Sequence, residues 1–262
     1  MIPPRMTTNS PRPNAPPVTA SPVANPWTIA DRGYALRLGG MAATLELATD
    51  TPGLFLAGDG SRGDLLLGID LQAAATPVEH WLRGGDVTAV YEPADARRLR
   101  ATAMWRATGG LPTPRDVAAC ELVFSAQTSV VESDASLAVI AEIDAAECLW
   151  SSSGIGPSPW TRVTASGPLP PAACCLLVHR RAAGTSTTVL VAVHPGDPRR
   201  IAVRPSGAGR TRVECRLFSS VIEKGVLLRS RVLAAVGPAD SAPAWADDLV
   251  AAFAASPPML DA

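Results

Sequence analysis

From Trp27 onward, short runs of apolar or alternating residues follow one another, separated by Gly, Pro and charged turn residues. This pattern limits the chain more than any other feature, because a period of two commits a segment to a strand with one dry and one wet face. Thr211-Arg212-Val213-Glu214-Cys215-Arg216-Leu217 is the clearest case: Val213, Cys215 and Leu217 project one way, Arg212, Glu214 and Arg216 the other. Leu99-Arg100-Ala101-Thr102-Ala103-Met104-Trp105-Arg106 alternates less strictly but has the aromatic and β-branched content of a strand. Strands are expected at 33–38, 42–48, 53–57, 64–70, 78–83, 86–92, 97–106, 118–131, 136–144, 146–151, 173–180, 186–194, 199–204, 211–218 and 226–236. No crossover helices separate them, so βαβ architecture is excluded and an all-β sandwich or supersandwich of antiparallel strands is expected.

One helix is expected, at 242–256. Ser241 can cap it, Pro243 suits its first turn, and Asp247 and Asp248 lie toward the positive end of its dipole. Trp245, Leu249 and Phe253 recur at i, i+4 and i+8, a stripe that docks on a sheet, and Pro257-Pro258 stops it. The prolines scattered through 1–26, among Ser, Thr, Ala and Asn, leave little to bury and mark a disordered tail. A single β domain over 27–258 with its C-terminal helix, and a short tail at 259–262, complete the expected organisation. The Ser-, Gly- and Pro-rich connection 151–172 is long enough to be functional or disordered, with Trp160 as its anchor.

Net charge is −1 over 262 residues, and the arginine pairs are short and scattered, which argues against a nucleic-acid partner. No apolar stretch approaches the length of a membrane span, and prolines interrupt the N-terminus where a signal peptide would carry its apolar region. Five cysteines, Cys120, Cys148, Cys174, Cys175 and Cys215, fall in apolar runs without CxxC spacing, as reduced, buried thiols of a cytoplasmic protein would.

Lys224 is the one lysine among 23 basic residues. An ammonium can deprotonate and act as nucleophile or base where a guanidinium cannot, so Lys224 is a candidate; a solvated Glu223-Lys224-Gly225 turn is the alternative. His80-Trp81-Leu82-Arg83-Gly84-Gly85-Asp86 gathers groups that could bind a sugar: an indole face for stacking, planar donors, acids for proton transfer. The plainer and favoured reading is a hairpin with Trp81 in the core and Arg83 paired to Asp86. Trp105 with Arg106 could supply a second stacking surface or belong to the core, and Asp86 with Glu223 could form the carboxylate pair that glycoside chemistry uses. His80, His179 and His194 lack metal-ligand spacing, and the Asp59–Asp64 segment is a polar turn rather than a calcium loop, so no metal is expected. With no GxSxG, Walker or dinucleotide fingerprint, no cofactor is expected either.

The segments Trp81-Leu82-Arg83-Gly84-Gly85-Asp86 with Tyr91-Glu92, Trp105-Arg106, 121–129 and 218–226 resemble the recurring landmarks of a group of uncharacterised bacterial β-rich proteins. The resemblance spans roughly 33–258 and implies a single-domain fold; it brings no assigned activity and no site with it. In length and strand density the chain is also similar to the galactose-mutarotase-like supersandwich. It has no counterpart of that family's catalytic His and Glu motifs, so the likeness implies a fold and not mutarotation.

These features point to a non-catalytic β-sandwich that binds a small molecule or a protein partner, or serves as an accessory domain. The alternative is a carbohydrate-binding or isomerase-like protein with a cleft lined by Trp81, Arg83, Asp86, Trp105, Glu223 and Lys224. Self-association through an open strand edge or the Trp245–Phe253 face is compatible with either.

Overall fold

A computed structural model describes residues 25–38, 40–58, 63–107, 111–152, 159–181 and 186–257. The expected tails at 1–26 (apart from Asn25 and Pro26) and 259–262 lie outside the described residues, as do 153–158 of the long connection and 59–62 of the polar turn.

In chain order the strands are β1 (Thr28–Ala30), β2 (Gly33–Leu38), β3 (Met41–Glu46), β4 (Gly53–Leu56), β5 (Asp64–Asp70), β6 (Pro77–Arg83), β7 (Asp86–Tyr91), β8 (Leu99–Ala107), β9 (Ala118–Thr128) and β10 (Glu132–Asp134). They continue with β11 (Leu137–Ile143), β12 (Ala145–Ser151), β13 (Thr161–Arg162), β14 (Gly167–Pro168), β15 (Cys175–Arg180), β16 (Thr187–Val193), β17 (Arg200–Ser206), β18 (Arg210–Phe218), β19 (Val221–Glu223) and β20 (Leu228–Pro238). The helix α1 (Ala242–Ala255) follows. Two nine-stranded antiparallel sheets result, one in the order β1-β2-β3-β4-β5-β11-β18-β17-β14, the other β13-β12-β15-β16-β20-β9-β8-β7-β6, with β10 and β19 as a separate ribbon. This is the all-β sandwich that the alternation requires. The short strands β1, β10, β13, β14 and β19 go unseen in the sequence because two or three residues carry no readable period.

The inner faces meet in one continuous apolar core. Val213, Cys215 and Leu217 enter it from the first sheet, Leu122, Phe124 and Ala126 from the second. Phe124 and Phe218 meet across it with ring centroids 6.1 Å apart. Trp245, Leu249 and Phe253 of α1 cover a second cluster on the outer face of β15, β16 and β20, against Leu177, Leu190 and Leu233. The helix is therefore held by packing, as its stripe predicts. Its caps differ from expectation. The Ser241 side chain makes no capping bond and no acidic residue occupies the first turn; Asp247 instead accepts a hydrogen bond from Trp160 Nε1 at 3.1 Å. Among the described residues, no helix is long and apolar enough to cross a membrane.

Three consecutive leucines explain how β5 departs from strict alternation. Leu65 packs on the outer face with Ala138 and Ile140, whereas Leu66 and Leu67 both enter the inner core. A bulge makes this possible: the pairing with β11 slips between Ile140 and Glu142, and Leu67 takes a left-handed φ of 48°. The redirected Leu67 carbonyl accepts the Trp105 indole N–H from the opposite sheet at 3.1 Å.

A charged pin joins the sheets at one end. Asp64 of β5, buried, accepts Arg180 Nε of β15 at 2.6 Å and Arg210 Nη2 of β18 at 3.0 Å, and the Asp144 backbone N–H at 3.0 Å. Removing one partner of a buried pair strands the rest, so Asp64→Ala is expected to lower the unfolding free energy by about 3–5 kcal/mol. Urea denaturation measures this; a loss below about 1 kcal/mol would show that water takes over the arginines.

Candidate functional site

The outer face of β6–β9, at the open edge of the second sheet, gathers the most polar chemistry around an exposed aromatic. Register determines its layout. Val87, Ala89 and Tyr91 of β7 and Ala101, Ala103 and Trp105 of β8 face the core, so the intervening residues face out. Directly opposed residues share a face, which produces three cross-strand rows: Arg83–Asp86–Arg106–Glu121, Trp81–Thr88–Met104–Val123, and Glu79–Val90–Thr102–Ser125.

The middle row is headed by Trp81, which is 42% exposed because β6 has no neighbour on its far side, with Thr88 and Val123 buried behind it. Charged pairs flank the row. Arg106 donates to Asp86 through Nε at 3.0 Å and Nη2 at 2.9 Å, a two-pronged contact that fixes both planes. The bond to Asp86 raises the Arg106 pKa and keeps the guanidinium charged. On the other flank Arg100 bonds Glu92, and reaches Glu79 Oε1 at 3.4 Å. The hairpin turn itself is braced from beneath, where Trp27 Nε1 donates to the Gly85 carbonyl at 2.8 Å and Gly84 takes a φ of 59°. His80 points to Tyr34, its Nδ1 3.2 Å from the hydroxyl.

Of the residues singled out in the sequence, Trp81, Arg83 and Asp86 share this hairpin. The Asp86 partner is Arg106 and not Arg83, which is exposed at the turn. Trp105 is no stacking surface: it is 0% exposed and fills the core. Trp160 packs on the cluster beneath α1, anchoring the long connection to Asp247. Burial raises the Asp247 carboxyl pKa there, against the opposing effect of the Trp160 bond.

Glu223 and Lys224 lie at the far end of the sheet. Glu223 ends β19 opposite Glu132. The Lys224 N–H donates to the Val131 carbonyl at 3.0 Å, the Val226 N–H returns to the Glu223 carbonyl at 3.1 Å, and Gly225 takes a φ of 87°. This is the solvated turn that the sequence allows. Lys224 borders a groove of about 720 Å³ with Glu92, Arg98, Arg100 and Gln127. Asp86 pairs with Arg106, six residues along β8 from Arg100, which places the two ends about 20 Å apart at strand rise. Asp86 and the Glu223–Lys224 turn therefore do not form a common acid–base site.

Sequence reading missed Arg106, Arg100, Glu79 and Glu92 as parts of one face, since only cross-strand register brings them together. The doublet Trp105-Arg106 carried the available signal: with the Trp inward, alternation sends Arg106 outward. Among the described residues no three His, Cys, Asp or Glu side chains gather in a way that could hold a metal. The five cysteines form no disulfide and are buried; burial pushes the Cys148 thiol up to about 11 and Cys215 up to about 12, which suppresses thiolate chemistry at these two.

No protein-family model matches the chain, and no curated protein matches its sequence. Its fold is similar to that of solved α-galactosidase structures. A GH36 alpha-galactosidase, AgaB from Geobacillus stearothermophilus, superimposes with a TM-score of 0.50 at 8% identity, over 80% of this chain and 40% of that one. The galactosidase domain of the alpha-galactosidase-sucrose kinase AgaSK gives a TM-score of 0.48 at 8% identity, over 80% and 41%. The chain thus spans about two fifths of the length of these proteins, and the first likeness concerns the fold alone.

Two expectations follow. Trp105→Phe keeps most of the apolar volume but leaves the buried Leu67 carbonyl unpaired, and should cost about 1–3 kcal/mol in a denaturant titration, whereas the exposed Trp81→Ala should fall within about 0.5 kcal/mol of wild type. The turn before β8 is acid-sensitive. Side-chain hydrogen bonds from Arg97 hold the Asp95 carboxyl below the usual carboxylate range, and Arg97 also donates to the Leu71 carbonyl at 2.5 Å. This stabilisation is complete above the unfolded carboxylate pKa of about 4 and lost as pH falls through the lower folded value. Melting curves across that window should flatten in Asp95→Asn; an unchanged slope would exclude Asp95 as a contributor.

Proposed function

We propose that this protein is a non-catalytic β-sandwich that acts as a binding or accessory module, and that its ligand is a carbohydrate held on the outer face of β6–β9. The observation that carries the reading is Trp81, exposed on an otherwise ordered face between two flanks of paired arginines and carboxylates. An indole presents an apolar plane to the C–H side of a sugar ring, while guanidinium and carboxylate groups already fixed in direction exchange hydrogen bonds with ring hydroxyls. Binding then costs little side-chain ordering, because the pairs pre-set the geometry.

The separation of Asp86 from Glu223 and Lys224 favours binding over turnover, since hydrolysis needs two carboxyl groups within about 10 Å across the scissile bond. The fold's similarity to an alpha-galactosidase that spans far more chain is compatible with an accessory role. Five buried cysteines that form no disulfide suit a reducing compartment, the basis for placing the protein in the cytoplasm. We extend the same reading to the organisation of the chain: a single β domain over 27–258 between short tails.

The test is a thermal-shift screen of the wild-type chain against neutral sugars, followed by calorimetry on any hit. A ligand that binds only the native state raises the melting temperature by mass action, by about 2.7 kcal/mol of stability at one hundred times its Kd. Trp81→Ala is expected to abolish the shift and Arg106→Ala to weaken it, with Lys224→Ala unchanged. Sugar binding that survives Trp81→Ala would move the site elsewhere, and no shift with any sugar would reject the carbohydrate class.

A further inference from the structure

A second concave site lies where the edges of the two sheets part. The chain leaves the second sheet after β13, pairs briefly with the first as β14, and between them residues 163–166 form one wall of a cleft of about 440 Å³. β12 and the turn between β17 and β18 form the others. Four arginines line it, Arg162, Arg181, Arg204 and Arg210, against one carboxylate, Glu147.

Among the described residues, arginines outnumber carboxylates around this cleft. Arg210 serves the fold: it donates to Asp64, and to the carbonyls of Gly63 at 3.2 Å and Glu142 at 2.5 Å. Asp64 is shared with Arg180. Arg162 pairs with Glu147 at 2.6 Å and Arg181 with Asp144 at 3.5 Å, both with side chains more than half exposed at 67% and 61%. Such surface pairs are worth little and exchange readily with a stronger acceptor. Arg204 is exposed beside them. Among the described residues, five arginines, Arg162, Arg180, Arg181, Arg204 and Arg210, thus meet three carboxylates, Glu147, Asp144 and Asp64, in a chain whose net charge is −1. Thr164, Ser166 and Thr211 also line the cleft, so hydroxyl donors are at hand.

We propose that this cleft binds a compact ligand carrying at least two negative charges on carboxylate or oxoanion groups. Guanidinium forks match the geometry of either group and bind it through paired, charge-assisted hydrogen bonds. Glu147 and Asp144 hold Arg162 and Arg181 at the rim until the anion takes their place. The site is separate from the Trp81 face and its ligand is of another class.

Isothermal titration of the full chain at low ionic strength, with citrate and with sodium sulfate as probes and sodium chloride at matched ionic strength as control, tests it. Saturable binding of either probe is expected; citrate alone would assign organic carboxylates, sulfate alone oxoanions. Arg162→Gln and Arg181→Gln should each weaken binding about tenfold, while Arg216→Gln, an exposed arginine paired to Glu214 on the first sheet, and Trp81→Ala should not. Arg204→Gln replaces either variant whose melting temperature falls. No saturable heat, an equal effect of chloride, or an equal loss in Arg216→Gln would overturn the proposal.

Discussion

The structure depends on the dry contact between two nine-stranded sheets. Each strand of the core buries alternate residues, and at roughly 25 cal/mol per Å² of apolar surface this burial is the main favourable contribution. Everything polar is arranged around it. Trp105 can lie in the middle only because the bulge at Leu66–Leu67 turns a carbonyl toward its N–H. Asp64 can lie at the margin only because two arginines and a backbone amide satisfy it.

A second buried charge plays the same part under the helix. Arg231 of β20 donates to Glu121 of β9 and to the Pro257 carbonyl, and its guanidinium lies 4.9 Å from the Phe253 ring centroid. It holds the chain just past the end of α1 and so joins the helix to the sheet, a task that Ser241 does not perform at the other end. The helix covers only one part of the outer face of the second sheet. At the edge strand β6 that face stays exposed, and for that reason Trp81 is available.

Both candidate sites therefore sit where the sandwich ends: one on the uncovered face at the edge strand β6, the other where the sheet edges diverge at β13 and β14. In each, arginines pair with carboxylates, and on the Trp81 face the Arg106–Asp86 contact is two-pronged. Lys224, the chemical exception in composition, takes no part beyond the wall of a solvated groove.

The all-β class, the longer strands and the helix were legible in the sequence, because alternation and the Trp245–Leu249–Phe253 stripe are local periodicities that burial enforces. The direction of Val213, Cys215 and Leu217 followed from the same rule. The assembly of the sites was not legible, since register between strands far apart in sequence is decided by which faces can be buried together. Asp86 meets Arg106, Arg231 meets Glu121, and Asp64 meets Arg180 only after the sheets close. Likewise, Trp81 and Trp105 look alike in the chain, each beside an arginine or one residue from it. One is core and the other surface because register turns Trp105 to the inner face of its sheet and Trp81 to the outer face of the edge strand β6. Local sequence determined what each strand could bury; tertiary packing alone decided which polar groups would find one another at its edges.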